Sequence, residues 1–261
     1  MTEVGYEVAD GVATLTLDRP EVLNSFNRPM AARLQASLDR AAADEAVRAL
    51  LLTGAGRGFC AGQDLAEAMP QDGGDPPTIE SIVRGSYNPI VRRLRAIEKP
   101  IVCAVNGVAA GAGANIALAC DFVLAAEHAS FVQAFSKIGL IPDSGGTFLL
   151  PRLVGLARAT ALTMLGEKLT AAEALSLGLV YRVVPGDALL AEARALAGRL
   201  AEMPTRGLGL TKRALNAGLV NDLARQLEVE AELQGEAGRT EDYREGVAAF
   251  LGKRKAEFRG R

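Results

Sequence analysis

The chain is poor in the side chains on which many enzyme sites depend. Its 261 residues include one histidine, three cysteines and no tryptophan, and aromatic residues make up only 5%. A Ser-His-Asp triad would have to use that single histidine, His128, and a site with several histidine ligands to a metal is excluded. We therefore predict no metal site, and chemistry that rests on carboxylates, backbone groups or a cofactor.

Neither sign of charge is in excess. The 29 basic and 31 acidic residues leave a formal net charge of −2, which argues against nucleic-acid and anionic-membrane partners. The longest apolar stretch, 107–120, is shorter than the roughly 20 residues that cross a bilayer. The first residues lack the basic and apolar segments of a signal peptide. We expect no membrane and no nucleic-acid partner.

The cysteines indicate a reducing compartment. Cys60, Cys103 and Cys120 are odd in number, form no C-x-x-C pair and lie in apolar or Gly/Ala-rich surroundings. This pattern is typical of buried, reduced thiols, and it predicts a cytoplasmic protein.

Strand and helix patterns alternate through the first two thirds of the chain, which predicts a layered α/β domain. Val4–Val8 and Val12–Leu17 read as a hairpin, and Met69–Pro77, with three prolines, as a surface loop. From Leu189 onward the pattern is almost entirely helical. We predict a core over 1–200 and a helical C-terminal region over 201–261. The other predicted elements are helices at Pro29–Ala43, Thr78–Glu98 and Gly111–Ala119, a capping box at Thr170–Glu173, and strands at Arg48–Thr53, Ile101–Val105, Asp121–Ala126 and Tyr181–Val184.

Two glycine-rich segments, 54–64 and 107–113, each follow an apolar strand. Their bare N–H groups near helix N-termini are suited to an anion or a developing oxyanion, although tight turns also need glycine. A dinucleotide loop is disfavoured because Ile116 stands where its third glycine would be. A third segment, 139–147, sets Asp143 among apolar residues before Gly145-Gly146, as either a functional carboxylate or a helix cap.

Taken together, these segments resemble the crotonase, or enoyl-CoA hydratase/isomerase, family. The resemblance implies a spiral of ββα turns with a helical C-terminal region that forms trimers, often stacked into hexamers. It also implies an acyl-coenzyme A thioester as substrate, with no separate cofactor because coenzyme A is part of the substrate. The segments that carry the resemblance are Leu17–Asn27, Gly58–Leu65, Lys99–Gly107, Gly111–Gly113 and Tyr243–Phe250 with Lys253 and Arg254.

The family holds a thioester enolate with two backbone N–H groups, and the resemblance assigns these here to Gln63 and Ala112. Such donors act on the transition state because the oxygen gains charge only as the α-proton leaves. The resemblance also implies contacts to coenzyme A, the last two from the C-terminal helix of this or another subunit. These positions are Asn24, Ser25, Phe26, Ala61, Asp64, Phe250 and Lys253.

Departures from the family pattern decide the expected activity. Hydratases of the family use two glutamates, and their positions are taken here by Asn115 and Phe135. An amide and a phenyl ring cannot perform acid/base catalysis, so hydration of an enoyl thioester is disfavoured. We expect Asn115 either to contact the substrate or to be a core amide bonded to a neighbouring loop, and Phe135 to line the substrate pocket.

Asp143 occupies the position at which family isomerases and dehalogenases place an acid. One carboxylate beside a bound enolate suffices for an isomerase, since the same group removes and returns the proton. Ile138, Leu140 and Ile141 would raise its pKa as apolar walls, whereas the following helix N-terminus would lower it.

Within the family, the sequence is most similar to the branch that isomerises ring-1,2-epoxyphenylacetyl-CoA to oxepin-CoA. The similar runs are 24–27, 51–65, 87–89, 107–114 and 135–143. Alternatives are a Δ3,Δ2-enoyl-CoA isomerase, an enoyl-CoA hydratase, and a non-catalytic member that binds acyl-CoA or RNA. The charge balance argues against RNA, and Asp143 in an apolar loop argues against an inactive protein.

Overall fold

The computed structural model describes residues 3–68 and 77–261, so nearly all of the predicted Met69–Pro77 loop lies outside the described residues. The predicted α/β architecture is confirmed. Ten strands are described: β1 Val4–Ala9, β2 Val12–Leu17, β3 Ala49–Gly54, β4 Gly58–Cys60, β5 Ile101–Val105, β6 Val108–Ala110, β7 Phe122–Ala126, β8 Ser130–Val132, β9 Lys168–Thr170 and β10 Arg182–Val184.

The described part of the chain also contains eleven α-helices. They are α1 Arg28–Ala43, α2 Ile79–Ile82, α3 Asn88–Ala96, α4 Ala112–Leu118, α5 Gly146–Val154, α6 Leu156–Leu165, α7 Ala171–Ser176, α8 Leu189–Ala201, α9 Thr205–Gly218, α10 Leu223–Ala237 and α11 Glu241–Leu251.

From β3 to β8, successive strands alternate between two sheets. The larger sheet has the order β1-β2-β3-β5-β7-β10, and the smaller has β4-β6-β8-β9. Strands β3, β5 and β7 are parallel neighbours in the first sheet, and β4, β6 and β8 are parallel neighbours in the second. Each turn of chain therefore contributes one strand to each sheet, which is the ββα spiral. All residues of β3 and β5 are buried, as central parallel strands require.

The predicted helix over Thr78–Glu98 is interrupted by a π-helical turn, Val83–Tyr87, between α2 and α3. Pro89 has no N–H to donate to the carbonyl four residues earlier, that of Gly85. The side chain of Gln35 supplies the missing donor. Its Nε2 donates to the carbonyls of Gly85 and Ser86 at 3.0 and 3.1 Å. Turns of this kind are frequent at functional sites, and this one ends on Tyr87.

The last residues of the chain fold back onto the C-terminal helices. Asp242, buried in the first turn of α11, accepts hydrogen bonds from the N–H groups of Arg259 and Gly260 at 2.6 and 2.7 Å. Arg48 donates to the carbonyl of Phe258 at 2.8 Å and so joins this tail to the edge of the core. The boundary at residue 200 remains a prediction.

The Asp242→Ala variant is expected to lower the free energy of unfolding by about 1–3 kcal/mol, because two N–H groups lose a buried carboxylate acceptor. Urea denaturation followed by circular dichroism measures the loss. Its neighbour Glu241 pairs with Arg261 at the surface, so Glu241→Ala is the matched control, with a change below about 1 kcal/mol. Equal losses in the two variants would show that the buried carboxylate has no special part in holding the tail.

All three cysteines are buried free thiols, as the sequence predicts. Within residues 3–68 and 77–261, no helix is long and apolar enough to cross a membrane.

Candidate active site

The two glycine-rich loops meet because the strands before them are neighbours. Cys60 in β4 is paired with Ala109 in β6, so the chain leaves both strands at the same edge of the smaller sheet. Gly62 has φ of +96°, a conformation that only glycine adopts readily. A Cβ at Gly62 would lie 3.8 Å from the backbone nitrogen of Ala112. The structure thus brings the predicted donor loops into contact.

The backbone of the first loop is held by Phe26. Its N–H donates to the carbonyl of Gly62 at 2.7 Å, and its carbonyl accepts from the N–H of Asp64 at 2.9 Å. Within the described ranges, the N–H groups of Gln63 and Ala112 donate to no backbone or side-chain acceptor. Ala112 is also the first residue of α4. Two unused donors that are fixed by the surrounding backbone can hold an oxyanion.

Gly113 and Cys60 fix the distance between the loops. A Cβ on Gly113 would lie 2.5 Å from the carbonyl oxygen of Cys60 and 2.7 Å from its sulfur, so only glycine fits. Burial raises the pKa of the Cys60 thiol to about 12. The thiol therefore stays protonated and serves as packing rather than as a nucleophile.

Asp143 lies in the loop before α5. Burial raises the pKa of this carboxyl above its ordinary value, and a hydrogen bond from the Ser144 hydroxyl, 2.8 Å from Oδ1, only partly opposes that shift. Burial therefore sets the direction of this pKa shift. A carboxyl with a raised pKa exchanges protons more readily near neutrality, as an acid/base group must.

Both isoleucines that were expected to form apolar walls around Asp143 lie at the surface instead. Ile138 and Ile141 are 53% and 79% exposed, so they do not enclose Asp143 in this chain. Phe135, in contrast, is buried as predicted, and its ring lies 3.7 Å from the position of a Cβ on Gly111. The phenyl ring therefore lies beside the second donor loop.

Asn115 has the second of its two expected arrangements. Its side chain is 1% exposed, and its Nδ2 donates to the carbonyl of Asp143 at 2.9 Å. Its Oδ1 accepts from Nε2 of Gln133 at 2.8 Å. Asn115 is thus a core amide bonded to a neighbouring loop, and that loop carries the candidate acid.

The predicted coenzyme A positions in the first half of the chain lie around the donor loop. Asn24 is fully buried, and its Nδ2 donates to the carbonyls of Ala55 and Gly58, so its side chain serves the loop itself. Asp64 accepts a hydrogen bond from Arg19 at 2.9 Å. Ser25 and Phe26 are buried, and Ala61 is half-buried.

The other two predicted coenzyme A positions belong to the C-terminal region: Phe250 is in α11, and Lys253 follows that helix. Phe250 is 83% exposed and borders a groove of about 680 Å³ formed with Pro204, Tyr243 and Phe258. No residue of the donor loops or of the Asp143 loop borders that groove.

Tyr87 lies near the site, although the sequence pattern assigns it no role. It is 1% exposed, and its ring packs edge-on against Phe26 with centroids 5.9 Å apart. Burial and the nearby charge of Asp143 raise the pKa of its phenol, which stays protonated. Pro89, just after the π-helical turn, is the sequence signal for an irregular backbone here.

Comparisons with known proteins agree with this geometry. The family model described as Enoyl-CoA hydratase/isomerase matches residues 7–261. A protein of Escherichia coli (strain K12) named 1,2-epoxyphenylacetyl-CoA isomerase is 54% identical over 97% of each chain. A probable enoyl-CoA hydratase of Rhodobacter capsulatus is 46% identical over 99% of this chain and 98% of its own. A crystal structure described as an enoyl-CoA hydratase/isomerase from Mycobacterium abscessus superposes with a TM-score of 0.93 at 42% identity, covering 99% of this chain and 100% of the other.

Proposed function

The chain belongs to the enoyl-CoA hydratase/isomerase family, and we propose that it isomerises the ring-1,2-epoxide of phenylacetyl-CoA to oxepin-CoA. One observation carries the proposal: Asp143, a half-buried carboxyl in no ion pair among the described residues, is joined through Asn115 to the helix that begins at Ala112. The positions that the resemblance assigns to the hydratase glutamates hold Asn115 and Phe135. Hydration needs a second group to activate water, whereas isomerisation needs one group that moves a proton.

The proposed reaction begins with removal of a proton from the carbon α to the thioester by Asp143. The electron pair of that C–H bond moves onto the thioester oxygen, which the N–H groups of Gln63 and Ala112 stabilise. The ring carbon–carbon bond that the epoxide bridges then breaks while both C–O bonds are kept, which expands the ring to seven members. Asp143 returns the proton to a ring carbon, and a carbon–carbon double bond remains at the α carbon. Substrate and product have the same atoms, so the chain supplies no redox equivalent and no water.

The aromatic substrate is favoured by the side chains beside the site. Phe135 lies against Gly111, and Tyr87 packs edge-on against Phe26, whose backbone holds the first donor loop. Aromatic side chains favour edge-to-face or offset contacts with a bound ring. The relative that is 54% identical is named for the same reaction.

A Δ3,Δ2-enoyl-CoA isomerase is the second candidate, because it needs only the same carboxylate and the same two donors. A relative from Streptococcus mutans, 39% identical over 99% of this chain, is named a trans-2-decenoyl-[acyl-carrier-protein] isomerase. Moving a double bond along an alkyl chain does not call for the aromatic side chains beside the site, which is why we place it second.

A substrate panel tests the proposal. We expect turnover of ring-1,2-epoxyphenylacetyl-CoA to exceed that of a 3-enoyl-CoA by at least about tenfold in kcat/KM, because one missing ring contact is worth about that much. Crotonyl-CoA should be hydrated far more slowly than by a hydratase with two glutamates. A preference for the 3-enoyl thioester would establish the second candidate, and rapid hydration of crotonyl-CoA would overturn both.

We also propose that the protein assembles into a homotrimer or a hexamer. The C-terminal helices expose large apolar side chains, which monomeric proteins rarely leave uncovered in groups. The groove beside Phe250 would then face another copy of the chain. The most exposed of these side chains are Phe250, Leu251, Leu223 and Leu215, and Val220 is exposed in the turn between α9 and α10.

A further inference from the structure

We infer that Gln133 and Asn115 act as a relay of two side-chain amides that positions Asp143, an inference that rests on the proposed function. Gln133 and Asn115 are both buried, and neither contacts the Asp143 carboxylate itself. The relay runs from Nε2 of Gln133 to Oδ1 of Asn115, and from Nδ2 of Asn115 to the backbone carbonyl of Asp143.

The first hydrogen bond fixes the orientation of the second amide. The oxygen and nitrogen of an asparagine side chain can exchange places by rotation about one bond. Gln133 donates to Oδ1, which leaves Nδ2 facing Asp143 at 2.9 Å. Without the Gln133 donor, Asn115 would be freer to rotate by half a turn. In that orientation its Oδ1 would face the carbonyl oxygen of Asp143, and the hydrogen bond would be lost. Gln133 therefore acts on the acid through Asn115.

The space around the relay admits no looser arrangement. A Cβ on Gly146 would lie 2.3 Å from Nδ2 of Asn115, so glycine is required where the turn meets the amide. The N–H of Gly146 also donates to the carbonyl of Asp143, at 2.8 Å. Ser144 has φ of +51°, which is unfavourable for a residue with a Cβ. The turn that aims Asp143 is thus a strained one, and hydrogen bonds to its carbonyl help to hold it.

The relay also links the acid to the oxyanion donors. Asn115 is in α4, one turn after Ala112, whose N–H is one of the two donors. A single short helix therefore carries a donor at its first residue and the support for the acid at its fourth. Because the helix is rigid, α4 fixes the separation between the Ala112 N–H and the backbone of Asp143, from which the carboxylate projects.

Two isosteric substitutions test the relay. Asn115→Asp keeps the shape of the side chain but removes the donor to Asp143, and we expect kcat to fall about 10²-fold with KM changed by less than about threefold. Gln133→Glu removes the donor that orients Asn115 without touching the Asp143 loop, and we expect kcat to fall about tenfold. Neither change should add to Asp143→Asn, because a relay has no effect once its target is absent.

Asn216→Asp is the matched control. Asn216 in α9 also donates its Nδ2 to a backbone carbonyl, that of Arg95 at 2.9 Å, far along the chain from the site. Its kcat should stay within about twofold of wild type. Melting curves of all variants establish that each is folded at the assay temperature.

Several results would overturn the relay. One is a normal kcat in both Asn115→Asp and Gln133→Glu while Asp143→Asn is inactive. Another is a raised KM with unchanged kcat in Asn115→Asp, which would mean that Asn115 binds the substrate directly. Full activity of Asp143→Asn itself would overturn the proposed function instead, so the two failures are distinct.

Discussion

The Asp143→Asn variant is expected to lose about 10²–10⁴-fold in kcat on ring-1,2-epoxyphenylacetyl-CoA, the range that a positioned acid/base group supplies. Asparagine keeps the size of the side chain and can still accept from the Ser144 hydroxyl. Binding of the thioester should persist, because the Gln63 and Ala112 donors are unchanged. Steady-state kinetics together with calorimetric titration of a non-reactive thioester separate the two effects.

The pH dependence of the wild type should carry the signature of the same group. Burial raises the pKa of Asp143, and the base must be ionised, so kcat should fall as pH falls through that raised pKa. The acid limb should lie at a higher pH than an ordinary aspartate gives, and it should be absent from the residual rate of Asp143→Asn. An identical limb in both proteins would assign the titration to another group.

The stability of Asp143→Asn provides a control with a defined sign. A carboxyl whose folded pKa is raised contributes stability below its unfolded pKa, and that contribution is lost as pH rises through the folded pKa. At neutral pH the buried charge is therefore a cost, and the asparagine variant should unfold at the same or a higher temperature than wild type. A clear loss of stability at pH 7 would show instead that the charged side chain is structurally required.

The sequence was sufficient for the elements with regular periodicity. The hairpin, the helix from Pro29, the strand Ile101–Val105 and the capping box at Thr170 all have their predicted places. These elements are specified by local patterns of apolar residues and caps. The short strands β4, β6 and β8 were not predicted from the residues, because three residues show no period and are held only by pairing across the chain.

The parts of the candidate site that are formed by backbone groups could be predicted from the sequence. The parts that depend on tertiary packing could not. The glycines of 62, 111 and 113 pointed to the donor loops, since those conformations and approaches exclude other residues. The bond between Asn115 and the Asp143 carbonyl joins residues 28 positions apart, and no local pattern encodes it. The exposure of Ile141 likewise depends on which elements fold over the loop.

The Ala112→Pro variant is expected to lose about 10²–10³-fold in kcat/KM, because proline removes one of the two N–H donors. The fold should accept it. Ala112 is the first residue of α4, where proline is favoured, and its N–H has no partner among the described residues to lose. A residue before proline is restricted to extended backbone. Gly111 has φ of +52° and ψ of −125°, which is the mirror image of an extended conformation and is open to glycine because it has no Cβ.

Ala112→Gly is the matched control, because it keeps the N–H while removing the buried methyl group. It should remain within a few-fold of wild type, since the backbone and not the side chain donates. Circular dichroism and melting curves establish that the proline variant is folded. A folded Ala112→Pro enzyme with wild-type kcat/KM would exclude the Ala112 N–H as an enolate donor, and a glycine variant as impaired as the proline variant would attribute the loss to the side chain. Loss in the proline variant alone would show that the thioester must approach the backbone nitrogen of Ala112 at the start of α4, next to the helix turn that holds the acid.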